Sequence, residues 1–172
     1  MMARLCDWIS RRLWVYRKGH LLHADGSLYM GRWTLFETRW LSARLHHIAT
    51  PDLDRHLHDH PWNFLSIVLA GGYVEERPWT IEPCFWSDSD SEIKIASYRS
   101  AGSVALRRAT DRHLISFVQS DTWSLFIYGR VRQWWGFFTP AGKVFWKNYP
   151  SCHDAVVQAE RPGEPDFVKA KA

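Results

Sequence analysis

Arg55-His56-Leu57-His58-Asp59-His60-Pro61-Trp62 sets three of the chain's nine histidines at alternate positions. Alternate side chains of an extended segment share one face, so His58 and His60 can aim two imidazoles at one interior point. His56 joins them only if the extended stretch begins that early. Such a pair chelates, but a metal needs at least one more donor from elsewhere in the fold. His113, which opens the apolar run 113–118, is the candidate for it. Asp59 faces the other way, so its expected role is a hydrogen bond that steadies the fold or a neighbour rather than ligation.

On both sides of this stretch the chain reads as short β-branched and aromatic runs separated by turn signals, the habit of an all-β barrel or sandwich. The expected strands cover 28–36, 41–49, 57–63, 65–70 and 73–76, then 93–99, 104–107, 113–118, 122–128, 131–138 and 144–146, giving about eight to ten once short neighbours merge. Asp25-Gly26, Pro51-Asp52, Gly71-Gly72, Ala101-Gly102 and Pro140-Ala141-Gly142 supply the turns. Residues 86–92 are polar and acidic, which reads as a solvated loop. Three stretches follow: an amphipathic N-terminal segment over 1–24, expected to hold a short helix packed on the barrel, the barrel itself over 25–149, and a Pro- and Gly-containing tail over 150–172, expected to be loosely held.

The chain has 172 residues, enough for one domain with a real core, and is 46% hydrophobic and 15% aromatic with eleven tryptophans, far from the composition of disorder. Cys6, Cys84 and Cys152 are scattered and odd in number, which supports neither a disulfide framework nor a zinc ribbon, so a reducing cytoplasmic location is expected. Residues 1–22 mix Trp8, Leu13 and Trp14 with Arg4, Arg11, Arg12, Arg17 and Lys18. They lack the unbroken apolar stretch of a secretion signal. No run approaches the roughly 18 apolar residues of a membrane span. The net charge of +4 is mild, and nothing in the sequence adds a nucleic-acid-binding motif.

The histidines and glycines together resemble the cupin family. Its first motif is His-x-His followed by a glutamate and a later glycine; its second runs from a glycine to a third histidine. His58-Asp59-His60 matches the opening of the first, and Gly71 or Gly72 closes it. Gly102 and His113 stand at the spacing of the second, with Arg108, Thr110 and Phe117 where Pro, Gly and Asn usually stand. The glutamate position falls on Phe64 or Leu65, so the fourth ligand of many cupins is missing. The resemblance covers roughly residues 40–138. It implies a cupin-type double-stranded β-helix, a jelly-roll barrel, with one divalent transition metal on His58, His60 and His113. Three imidazoles without a carboxylate suit Fe(II), the preferred ion, and also Zn(II), Mn(II), Ni(II) and Cu(II). Three ligands on one side leave positions open for a substrate, as a catalytic site requires.

Cupins that use three histidines include the thiol dioxygenases, whose later strand carries Ser-x-His-x-Tyr. Ser124-Leu125-Phe126-Ile127-Tyr128 is similar, with Phe126 in place of the histidine. The resemblance implies a mononuclear Fe(II) dioxygenase-like oxidoreductase acting on a small molecule, with Tyr128 and Ser124 beside the substrate. A small anionic substrate needs a buried cation, for which Arg44 is the first candidate and Arg107 and Arg132 are others. His46 shares the face of Arg44. The rings of Trp62, Trp134, Trp135, Phe137 and Phe138 serve either as a binding wall or as core. Two other readings fit the same barrel: a non-catalytic small-molecule-binding cupin, and a metal-independent sugar isomerase or epimerase with a His and a Tyr as acid and base. Cupin sheets often pair across an exposed edge strand, so a homodimer is the assembly the resemblance implies.

Overall fold

The computed structural model describes residues 1–12, 17–23, 26–79, 93–149 and 157–159. One helix, α1 (Met2–Arg12), precedes the strands β1 (Arg17–Leu22), β2 (Leu28–Glu37), β3 (Leu41–Ile48), β4 (Phe64–Ala70), β5 (Gly72–Pro78), β6 (Lys94–Ser100), β7 (Val104–Arg107), β8 (Leu114–Val118) and β9 (Thr122–Gly129). The hairpin β10 (Gly136–Thr139) and β11 (Gly142–Phe145) follows, then a 3-10 turn at Trp146–Asn148 and β12 (Val157–Ala159). The strands form a seven-stranded sheet in the order β12-β1-β2-β3-β9-β4-β7, a three-stranded sheet β6-β5-β8, and the hairpin. From β4 onward the chain passes back and forth between the two larger sheets, with β4, β7 and β9 in one and β5, β6 and β8 in the other. That alternation is the winding of a double-stranded β-helix, the all-β fold expected from the sequence.

The crossover from β4 to β5 depends on Gly71. Its φ of +66° is one that side chains disfavour, and a Cβ there would lie 2.5 Å from Thr122 Oγ1. That hydroxyl, fully buried, accepts the Gly72 N–H at 3.0 Å and donates to Gln119 O at 2.6 Å, so the turn is tied to the start of β9. Strand β4 alternates strictly, burying Phe64, Ser66 and Val68 on the inner side. A bulge between Val68 and Ala70 then shifts the register, and Ala70 joins the outer layer.

Two apolar clusters hold the layers. On the outer face of the large sheet, Cys6 and Ala3 of α1 pack on Leu45, Ala70 and Trp123, with Trp33, Leu35 and Leu69 around them. Trp123 stacks between Trp33 at 5.3 Å and His47 at 4.6 Å. Between the sheets, Ile48, Val68 and Tyr73 meet Met30, Ile115 and Val118. The helix therefore covers the outside of the sheet, while the inner row, Ser42, Arg44 and His46 of β3 beside Ser124 and Tyr128 of β9, is buried and polar.

Three expectations change in detail. The N-terminal segment holds strand β1 as well as the helix. The run 131–138 pairs only from Gly136 onward. Strand β12, inside the expected tail, pairs its backbone with β1. The acidic loop 86–92, the rest of that tail, Cys84 and Cys152 lie outside the described residues. No helix among the described residues is long and apolar enough to cross a membrane.

Among the described glycines Gly136 leaves the least room, because a Cβ there would lie 1.9 Å from the backbone oxygen of Val144 across the hairpin. Gly136→Ala should therefore destabilise the protein by about 2–4 kcal/mol, as forced backbone displacement does. Urea unfolding with an unchanged midpoint would contradict this packing.

Candidate metal centre

The His-x-His stretch is not the strand expected over 57–63. Pro61 offers no N–H, and only His58 forms β-bridges, one to His113 and one to Phe137. His58 and His113 exchange N–H···O bonds of 2.9 Å in both directions, while Phe138 N–H reaches Leu57 O at 2.9 Å and Asp59 N–H reaches Gly136 O at 3.2 Å. The segment is thus a short extended piece wedged between the start of β8 and the hairpin. Locally extended backbone still alternates its side chains, so the two imidazoles fall on one side and Asp59 on the other.

Asp59 does what its position implies. It is 1% exposed and accepts hydrogen bonds from Gly136 N–H at 2.9 Å, Gln133 Nε2 at 2.7 Å and Lys143 Nζ at 2.5 Å. Burial pushes its carboxyl up, against the pull of these donors. It clamps the hairpin to the histidine segment. Gln133 also donates to His60 O and Ala109 O, which fixes the backbone on the far side of His60.

His58, His60 and His113 each offer a ring nitrogen, and these atoms all lie within 4.8 Å of one another. The Nε2 atoms of His60 and His113 are 2.7 Å apart. Two ligand nitrogens about 2.1 Å from one ion stand roughly 3.0 Å apart when mutually perpendicular, so a small opening would admit a metal. Phe64 packs on His60 at 4.7 Å and on His113 at 5.9 Å. Phe137 and Trp135 flank His58 at 5.7 and 6.2 Å. Inside this aromatic collar, burial pushes the His58 pKa down to about 4 and that of His60 well below its usual value, helped by the neighbouring imidazoles. Both rings are neutral at pH 7, which is the ligating form.

Glu75, on β5, was not among the sequence candidates. It is 2% exposed, and its Oε1 lies 3.2 Å from His113 Nδ1 and 3.1 Å from Arg107 Nε; Oε2 takes Arg107 Nη2 at 2.5 Å and Arg99 Nη2 at 3.0 Å. Burial alone would raise its pKa, but the hydrogen bonds from His113 and Arg107 overcome this and hold the carboxyl far below the usual range. A sequence signal existed. Tyr73 is an inward position of β5, and period two makes Glu75 the next one, an acid with no place in an apolar core.

The remaining candidates divide. Arg44 and Tyr128 are buried together, with the guanidinium 4.9 Å from the ring centroid, and Tyr128 packs on Trp62 at 4.5 Å. Burial raises the Tyr128 pKa and Arg44 opposes it. The ring nearest the histidines on β9 is instead Phe126, 6.3 Å from His60 and stacked on His46 at 5.0 Å. Ser124 is buried opposite His46 in the strand register. The Nε of Arg44, Nε2 of His46 and Nε1 of Trp62 are buried without hydrogen-bond partners among the described residues. Of the other cations, Arg107 is held by Glu75, and Arg132 is exposed, so neither is the free interior charge sought in the sequence. The aromatic wall also divides: Phe137 is core and stacks on Tyr149 at 4.0 Å, Trp135 stacks on Trp146 at 5.4 Å, and Trp134 is half exposed under Lys143.

Fold and site together define an all-β double-stranded β-helix carrying a three-histidine cluster. Among solved structures the chain is similar to an RmlC-like cupin from Shewanella frigidimarina, at 13% identity over 66% of this chain and 85% of that one, with a TM-score of 0.40. It is also similar to a protein with a double-stranded β-helix domain from Klebsiella pneumoniae, at 14% identity over 62% and 81%, TM-score 0.41. A third is the polyketide cyclase RemF from Streptomyces resistomycificus, at 14% identity over 68% and 72%, TM-score 0.45. No protein-family model and no curated protein matches the sequence.

The neutral histidines give stability a sign. His46, His58 and His60 all have folded pKa values below the free value of 6.5, His46 chiefly through burial, so the unfolded chain binds protons first. Their contribution is complete above pH 6.5 and is lost as the pH falls below it, down to about 4 for His58, by up to about 1.4 kcal/mol per pH unit for each group. The thermal midpoint of chelator-treated protein should drop steadily over that window. A midpoint constant from pH 6.5 to 4.5 would show that these rings are not buried neutral.

Proposed function

We propose that this chain is a metal-dependent small-molecule enzyme in which His58, His60 and His113 hold one divalent transition metal, Fe(II) in the first instance, for a dioxygenase-like oxidation. The observation that carries the reading is the convergence of three ring nitrogens, two of them on imidazoles kept neutral by burial, inside an aromatic collar. Three imidazoles fit a borderline ion, with no carboxylate among them to favour magnesium or calcium. A ferrous ion would supply open coordination positions and redox chemistry with O2.

The chain's own residues supply the rest. Phe64, Trp135 and Phe137 set apolar rings against the cluster, which lowers the local dielectric and strengthens charge interactions within it. Arg44 gives the substrate class: a buried guanidinium whose Nε has no acceptor calls for an anionic group, and a small carboxylate answers that need. His46 and Trp62 present two further buried ring nitrogens on the same side, and Tyr128, beneath Arg44, orients that guanidinium. A second reading, the metal-free isomerase or epimerase, is favoured by the placing of His46 and Tyr128 on one inner face on either side of Phe126.

Elemental analysis of protein purified without chelator or affinity histidines should give near-stoichiometric transition metal. His58→Ala and His113→Ala should each lose most of it. Wild-type protein that takes up no metal after anaerobic incubation with Fe(II) would remove the oxidation and favour the metal-free reading. With oxygen uptake assayed on a panel of small thiols and carboxylic acids, Arg44→Met should raise KM for the active acid by about 10–100-fold, the loss of one charge-assisted pair. An unchanged KM would place the anion elsewhere.

A further inference from the structure

Each Glu75 oxygen has its own partners. Oε2 is gripped by two guanidinium groups, with Arg107 Nη2 at 2.5 Å and Arg99 Nη2 at 3.0 Å, while Oε1 meets Arg107 Nε at 3.1 Å and His113 Nδ1 at 3.2 Å. The carboxylate comes from β5 in the small sheet, Arg107 from β7 in the large one, and His113 from the start of β8. The His113 backbone is fixed independently by its reciprocal pair of hydrogen bonds to His58. An oxygen surrounded only by arginine donors is an acceptor, so the hydrogen on the facing imidazole must sit on Nδ1. A neutral ring carries only one such hydrogen, which leaves a lone pair on Nε2, the atom 2.7 Å from His60 Nε2.

We propose that Glu75 is a positioning residue that locks His113 as its Nδ1–H tautomer, so that the Nε2 lone pair stays turned into the histidine cluster. Arg107, which binds both carboxylate oxygens, holds Glu75 oriented toward His113, while Arg99 meets Oε2 alone. The value of this lock to a metal rests on the reading of the site given above, but the tautomer itself belongs to the metal-free protein. The same geometry assigns the hydrogen shared between the two Nε2 atoms to His60. His60 must therefore shift its proton to Nδ1 before it can bind an ion, whereas His113 is ready as it stands. Substituting the carboxylate by an amide has a directed effect. The amide oxygen turns to the arginine-rich Oε2 position, its NH2 then faces His113 Nδ1, and the ring is driven to carry its hydrogen on Nε2, pointing at the cluster.

The test is 15N NMR of histidine-labelled, chelator-treated protein, with His113 assigned by its absence in His113→Asn, alongside Zn(II) affinity by chelator competition. Wild-type His113 should be the Nδ1–H tautomer, a measurement that needs no variant at Glu75 to fold. Glu75→Gln should shift His113 toward Nε2–H and weaken Zn(II) binding by about 10–100-fold, the usual effect of removing such a partner. Arg99→Gln removes a donor only from Oε2, so it should lower the thermal midpoint while leaving the tautomer unchanged and Zn(II) affinity within about twofold. That contrast separates positioning from a merely structural role. Wild-type His113 found with its hydrogen on Nε2, or Glu75→Gln with wild-type tautomer and affinity, overturns the proposal. Wild-type protein that binds no Zn(II) but shows the Glu75-dependent tautomer would overturn the metal reading and leave the lock on His113 supported.

Discussion

The paired backbone bonds between His58 and His113 are the constraint on which the centre depends. Side chains can be brought together in many ways, but here two histidines far apart in sequence face each other because their peptide groups do. Everything near them extends that contact. Asp59 reaches the opposite way to hold the hairpin, Gln133 ties the carbonyls of His60 and Ala109, and Pro61 ends the ladder before the segment can become an ordinary strand. A continuous strand would have satisfied its backbone without those side chains. The short wedge leaves its neighbours to be satisfied by them, and so couples the hairpin directly to the histidines.

The two faces of the large sheet do different work. Burying Arg44, His46, Arg107 and three serines on the inner face costs free energy unless each polar group finds a partner. The outer face supplies what the inner one gives up: Cys6, Leu45, Ala70 and Trp123 form an apolar layer under α1, and the seam of Ile48, Val68 and Tyr73 closes one region between the sheets. The helix is therefore part of the core. It allows the interior to be polar where chemistry needs it.

The strict alternation of β4, the turn glycines and the His-x-His spacing made the fold and the three histidines legible in the sequence. Local backbone periodicity writes them directly. Glu75 was not legible by spacing to the histidines, because its contact with His113 is created by the facing of two sheets, a relation that no short motif encodes. Arg107 was misread for the same reason: an inward arginine looks like a free cation until the acid opposite it is known. Phe126 stands where the similar pattern has a histidine. The structure shows the replacement packed on His46 and near His60, so the apolar ring takes part in the collar rather than leaving a gap.

Strand β9 lies between β3 and β4 in the large sheet, yet it is made after both. During synthesis the two earlier strands emerge with no partner between them, and α1, made before either, has no Trp123 to rest on. Neither the outer apolar layer nor the inner polar row can close until residues 122–129 have left the ribosome. Folding of this barrel is then a late, concerted event ruled by distant contacts, of the kind that proceeds in milliseconds to seconds rather than microseconds. A nascent chain halted before β9 would expose both the helix and two bare strand edges, so the later strand is what protects the earlier ones.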